Sequence, residues 1–232
     1  MNLDALKVAY QQANQPGRVY LDHMVFIDQL LASSDREAIK YHYDLLTDRS
    51  NRDLYIRLRA AFVKRLPGAE GFLLEALDTE KDPAMRADIL HLLGTARCPS
   101  ARDLAVKLAT DIDERVRDTA AFVLGWVGTP DDLREILIDR LLHDPSPLVR
   151  GDAATALRQV YFRLPKVKDD AVKALKQGLV QESNEEAQAS IIATLQTLLK
   201  KRFGLTEPAH ERGIKGDVPG AREKALKHLA KV

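Results

Sequence analysis

The chain has 232 residues, 45% hydrophobic and 30% charged, with 35 Lys/Arg against 34 Asp/Glu and a formal net charge of +1. This balance excludes a chain disordered throughout, because there is enough apolar surface to offset the entropy of ordering the backbone. No run approaches the roughly 18 apolar residues of a membrane span, no basic and apolar leader opens the sequence, and the lone Cys98 has no disulfide partner, so a cytoplasmic protein without a membrane partner is expected.

Taken in chain order, the text alternates helix, short polar break and helix. Pairs are expected over 3–14 with 19–32, 35–47 with 52–66, 69–79 with 83–95, 100–110 with 114–127, 131–143 with 147–162, and 166–181 with 184–201. Apolar residues recur at i, i+3, i+4 and i+7. Val116, Ala120, Val123, Leu124 and Val127 form one such stripe, and Met85, Ile89 and Leu93 repeat it one unit earlier. Asp82-Pro83, Thr129-Pro130 and Ser146-Pro147 each place a side-chain oxygen at a helix N-cap and a proline at its first turn. A loop with Gly204, Pro208, Gly213, Gly216, Pro219 and Gly220 follows, then a short helix over 221–231. The expected division is a repeat body over 1–203 and a basic loop and helix over 204–232. Residues 200–232 carry nine Lys/Arg against four acids, a charge of +5 that leaves −4 on the rest. Such a tail is either a solvated end or a segment that docks on its own acidic body or on an acidic partner.

The pairs Leu58-Arg59, Met85-Arg86, Val116-Arg117, Val149-Arg150 and Ala187-Gln188 recur at intervals of 27, 31, 33 and 38 residues. A period near 31 marks a repeat array, in which each helix pair is too small to bury its own apolar face. The phrase from Asp113 to Gly125, DERVRDTAAFVLG, and that from Leu141 to Leu157, LLHDPSPLVRGDAATAL, resemble the HEAT repeat in the subtype named for phycobilisome lyases. The resemblance is strongest over 69–162 and extends over 35–201. It implies an all-α fold, a right-handed α-solenoid of about six antiparallel helix pairs in an armadillo-type superhelix. First helices would lie on the convex side and second helices would line the concave side. The recurrent Asp82 and Arg86, Asp113 and Arg117, and Asp144 and Arg150 would form a structural ladder between neighbouring repeats. The short 27-residue interval, the Ser146-Pro147 turn and the long 38-residue interval depart from the pattern and imply irregular stacking there.

With second helices on the concave side, positions one, two, five and nine after Arg117 face outward: Asp118, Thr119, Phe122 and Trp126. The same register gives Ala87, Asp88, His91 and Thr95 one repeat back, and Gly151, Asp152, Thr155 and Gln159 one repeat forward. Phe122 and Trp126 lie off the buried stripe, as anchors for a partner or as packing against the next second helix. Asp88, Asp118, Asp152, His91, Thr155 and Gln159 would select a basic or hydrogen-bonding partner around them. Six dispersed histidines, a single His-Glu dipeptide at His210-Glu211, and no nucleophile elbow or nucleotide-phosphate loop give no catalytic residues, no metal ligands and no cofactor. The expected function is therefore non-enzymatic binding of a partner protein, in the manner of small bacterial adaptors, assembly factors or inhibitors. Two alternatives stand. The segment Arg49, Arg52, Arg57, Arg59, Lys64 and Arg65, with the tail, could contact nucleic-acid phosphates as in the HEAT-like alkylpurine DNA glycosylases. The repeat subtype also allows bilin handling.

Overall fold

The first N–H groups of a helix need acceptors, and at several starts in this chain short polar side chains supply them. The computed structural model describes residues 3–209 and 213–231. Asp35, Asn51, Asp82, Asp113, Asn184 and Asp217 each accept a hydrogen bond from a backbone N–H in the first turn of the helix that follows. Thr129 forms a reciprocal capping box with Asp132. Ser146 occupies the N-cap before Pro147 but makes no side-chain cap; Asp144 instead accepts from the Ser146 N–H at 2.9 Å.

The chain divides into two compact units, 1–98 and 99–232. The first holds α1 (Leu3–Ala13), α2 (Tyr20–Leu31), α3 (Arg36–Leu45), α4 (Arg52–Phe62), α5 (Glu70–Thr79) and α6 (Pro83–Thr95). Within it α2, α4 and α6 pack side by side as an inner layer, with α1, α3 and α5 each paired to the following helix. Phe26, Ile27, Leu30, Leu54, Leu58, Phe62, Leu73, Ile89 and Leu93 fill the space between the layers. Arg65, which follows α4, is buried there: it donates to the carbonyls of Leu30 and Ser33, both at 2.7 Å, and to His42 Nδ1 at 3.0 Å. The guanidinium thus satisfies the open carbonyl end of α2.

The second unit contains α7 (Ala101–Leu108), α8 (Glu114–Val127), α9 (Pro130–Asp132), a π-helical turn (Leu133–Leu137) running into α10 (Ile138–His143), α11 (Pro147–Arg163), α12 (Lys168–Gln181), α13 (Glu185–Leu199) and α14 (Val218–Leu229). Its inner layer is α8, α11 and α13; α7, α10 and α12 lie outside, and α14 packs on α12 and α13. Small residues let the inner helices approach closely. A methyl group added at Gly125 of α8 would sit 3.2 Å from Ala156 Cα of α11, and one at Gly151 would sit 3.4 Å from Ala187 Cα of α13. The tail is part of this unit: Arg222 donates to the carbonyls of Leu179 and Val180, and Lys176 to that of Leu229. Among the described residues no strand forms, and Thr206 and Lys215 make an isolated antiparallel bridge. The fold is all-α, and most helix boundaries fall within three residues of those read from the periodicity; α4 instead ends four residues before the expected 66, its chain tightening into a 3-10 turn over Val63–Arg65, and the helix expected over 131–143 is divided into α9, a π-helical turn and α10.

In the second unit the ladder arginines reach an acid of the next repeat rather than the aspartate that precedes each of them. Arg117 grips Asp144 with two bonds of 2.8 and 2.9 Å, and Arg150 grips Glu182 at 2.6 and 2.9 Å. The free nitrogen of each arginine donates to its own turn, Arg117 to the carbonyls of Asp111 and Ile112 and Arg150 to those of Asp144 and Pro145. Burial alone would raise the Asp144 carboxyl, yet the bonds from Arg117 and Ser146 hold it below the usual range.

Gly125→Val tests the close approach of α8 and α11. Valine removes glycine's helix penalty but drives its methyls into the Ala156 backbone, so stability should fall by about 1–3 kcal/mol in denaturant unfolding. A variant as stable as the parent would show that the two helices have room to spare.

Candidate functional site

The outward side of the α8, α11 and α13 layer brings together six of the residues singled out by the sequence. Asp118, Phe122 and Trp126 of α8 and Asp152, Thr155 and Gln159 of α11 are all half-buried. The Phe122 and Trp126 rings sit 6.3 Å apart, centre to centre, at a tilt of 51°. Neither ring is sealed into the core and neither stands fully in solvent. Thr155 bonds back to the Gly151 carbonyl at 3.4 Å, and Gln159 lies against Gly125 with a buried Oε1 that receives no hydrogen bond.

Asp88 and His91 lie on α6 of the first unit. Asp88, expected to be open to a partner, is only 4% exposed and is filled from within. It accepts from Tyr55 at 2.6 and 2.7 Å, Arg49 at 2.9 Å and Arg59 at 3.1 Å. The amphipathic register could not foresee this, because the donors come from α4 and the turn before it. His91 is half-buried beside Arg59, Ile56 and Thr95 in a shallow hollow of about 260 Å³. Burial, then the positive charge of Arg59, pushes its imidazole down to about 4, so the ring is neutral at physiological pH.

The same internal chemistry consumes the basic segment. Arg49 and Arg59 hold Asp88, Arg57 stacks on the Tyr20 ring at 4.9 Å, and Arg65 is buried, which leaves Arg52 and Lys64 exposed. Charges engaged in this way present little to phosphates.

Asp118 and Asp152 face each other from neighbouring helices. Burial raises the Asp118 carboxyl far above the carboxylate range, reinforced by its hydrogen bond with Asp152 and by the negative charges of Asp152, Glu114 and Asp144. Burial also raises Asp152, while the hydrogen bond from Asp118 works in the opposite direction. Both shifts favour a pair that shares one proton between the two carboxyls. Asp118 Oδ1 is sealed from solvent and receives no hydrogen bond from any nitrogen or hydroxyl. Other buried acids of this unit are each held by an arginine: Asp132 by Arg102, Asp144 by Arg117, Glu182 by Arg150.

Asp152 also lines a cavity of about 490 Å³ between α11 and α13. Sequence reasoning missed this hollow, although continuing the outward register one repeat past Gln188 reaches Ala189 and Ser190, residues too small to fill it. Its far wall is Gly213 and Ile214, from the loop after α13. That loop is folded onto the layer. Gln196 Oε1 accepts from the Phe203 N–H at 2.6 Å, Glu207 binds Arg158 at 2.6 and 3.0 Å, and Thr206 and Lys215 exchange two backbone bonds of 2.9 Å. His210-Glu211 lies outside the described residues.

A family model for HEAT repeats matches residues 71–158, the segment that includes α6, α8 and most of α11. Residues 71–158 therefore carry HEAT repeats, and repeats of this kind commonly mediate protein interactions. No curated protein matches the chain. No helix among the described residues is long and apolar enough to cross a membrane, and no group of three or more His, Cys, Asp or Glu among them is placed to hold a metal.

The acid pair makes a signed prediction. Because folding raises the Asp118 carboxyl above its unfolded value of about 3.9, the folded state binds more protons between those limits and loses stability as pH rises through them. In Asp118→Asn the amide N–H replaces the proton toward Asp152, so the variant should be more stable than the parent by about 1 kcal/mol or more at pH 7.5. The difference should shrink toward zero near pH 4; melts showing no dependence of the difference on pH would contradict a shared proton.

Proposed function

We propose that the protein acts without catalysis by binding a partner protein on the outward face of α8 and α11, with Trp126 and Phe122 as apolar anchors. The observation that carries this reading is the adjacent, half-buried ring pair on a layer whose core is already complete beneath it. Large aromatic rings bury much area at little entropic cost, and tryptophan is the residue most enriched at interface hot spots. Asp152 and Thr155 add acceptors on the same layer and set the partner's polarity toward basic or hydrogen-bonding groups, while Gln159, its Oε1 sealed against Gly125, supports the rings from beneath. His91 offers a neutral imidazole within the first unit, and Asp118 acts through Asp152 rather than directly. Asp88 has no remaining acceptor directed at a partner and supports the α6 scaffold instead. Nucleic acid is disfavoured because the basic segment is spent on Asp88, Tyr20 and helix-end carbonyls.

The double variant Phe122→Ala/Trp126→Ala separates anchoring from packing. Affinity capture from native extract with quantitative mass spectrometry should lose a protein retained by the parent, with affinity for that protein falling about 30-fold or more. Thermal stability should drop only modestly, as expected for half-buried rings. An unchanged capture profile, or a melting transition that collapses with the rings inaccessible to a fluorescence quencher, would contradict the reading.

A further inference from the structure

We propose that the cavity between α11 and α13 is a socket for one basic side chain of the partner, lysine or arginine, with its cationic head on Asp152 and its alkyl stem between Leu148 and Ile214. This inference rests on the partner-binding reading but needs no partner for its test.

Three independent features converge on it. The first is shape: Gly151, Ala187 and Ser190 leave an open floor, and the volume of about 490 Å³ accommodates an extended side chain. The second is charge. Buried acids elsewhere in the unit each have an arginine, whereas among the described residues no lysine or arginine forms an ion pair with Asp118 or Asp152. A half-buried carboxylate without a cation is costly, and a guanidinium or ammonium arriving from outside would relieve that cost at Asp152 with charge-assisted bonds. The third is the wall composition. Leu148 is 52% exposed at the mouth, and Ile214 faces the same space, so an aliphatic stem gains apolar contact on the way in. Glu186 at the rim adds a second negative charge.

The beginning of α13 opposes a cation, since helix N-termini carry partial positive charge. That field is already answered here: Asn184 accepts from the Ala187 N–H at 3.0 Å, and Glu185 and Glu186 occupy the first turn. Arg158, on the same helix as Asp152, is committed to Glu207 and does not compete for the socket.

The full chain, isotopically labelled, would be titrated with N-acetyl-Ala-Arg-Ala-amide and N-acetyl-Ala-Lys-Ala-amide and followed by amide NMR shifts. Matched peptides carrying citrulline or norleucine serve as neutral controls. At least one basic peptide should give saturable shifts at Gly151, Asp152, Ser190 and Ile214 with a dissociation constant of the order of millimolar, and the neutral peptides should bind about tenfold more weakly or not at all. Asp152→Asn should weaken binding about tenfold. Ser190→Leu, which keeps the charge and fills the floor, should abolish it, and the unperturbed remainder of each spectrum reports that the variant is folded. Equal binding of neutral peptides, shifts confined to another surface, parent-like binding by both folded variants, or no shift at about 20 mM peptide would each overturn the proposal. A negative titration leaves the Phe122 and Trp126 anchor reading standing; loss of that reading would show instead in the capture experiment.

Discussion

The second unit depends on one recurring interaction: an arginine that clamps the acid of the next repeat with one edge and the carbonyls of its own turn with the other. Arg117 and Arg150 do this in the same way, at Asp144 and Glu182. Gln188 keeps the turn half of the arrangement, donating to the Glu182 carbonyl at 2.7 Å. A helix pair cannot seal its own apolar face, so stacking must be fixed in register as well as driven. Apolar burial supplies the drive without direction, and the planar, bidentate guanidinium supplies the direction. Asp144 is fully buried and also meets Arg140 at 3.2 Å, so losing one partner there would strand a charge in the core.

Register fixed in this way determines what the open side of the layer presents. Close contact through Gly125 and Gly151 brings α8, α11 and α13 near enough for Asp118 to meet Asp152 and for the ring pair to lie half-sheltered. The same closeness, combined with Ala187, Ala189 and Ser190, opens the cavity beside Asp152. The arginine clamps and the proposed binding residues therefore fall on different faces of the same helices. Arginines and their acids lie along the turns; aromatic and unmatched acidic groups lie on the outward side.

Much of this is visible in sequence because helical periodicity and capping are local. The stripe from Val116 to Val127 places α8 correctly, and Asp113 caps it as its position before the stripe suggests. The arginine ladder is legible as a repeating letter, but not its wiring: Asp113 and Asp82 serve as caps, and the acids that Arg117 and Arg150 reach come from the following repeat. Asp88 is misjudged from periodicity alone because its donors, Arg49, Tyr55 and Arg59, are distant in sequence and belong to another helix pair. The cavity was hidden for the opposite reason. Its signal is the smallness of Ala189 and Ser190, and an absence of volume becomes visible only when neighbouring backbones are placed around it.

The central claim is that arginine clamps couple neighbouring repeats, and a double-mutant cycle on Arg150 and Glu182 measures it most directly. The single variants Arg150→Ala and Glu182→Ala and the double variant would be unfolded in denaturant beside the parent. A bidentate pair of this kind, with its carboxylate buried, predicts a coupling energy of about 1.5–3 kcal/mol. A coupling of about 0.3 kcal/mol or less, the additivity of independent sites, would contradict the account.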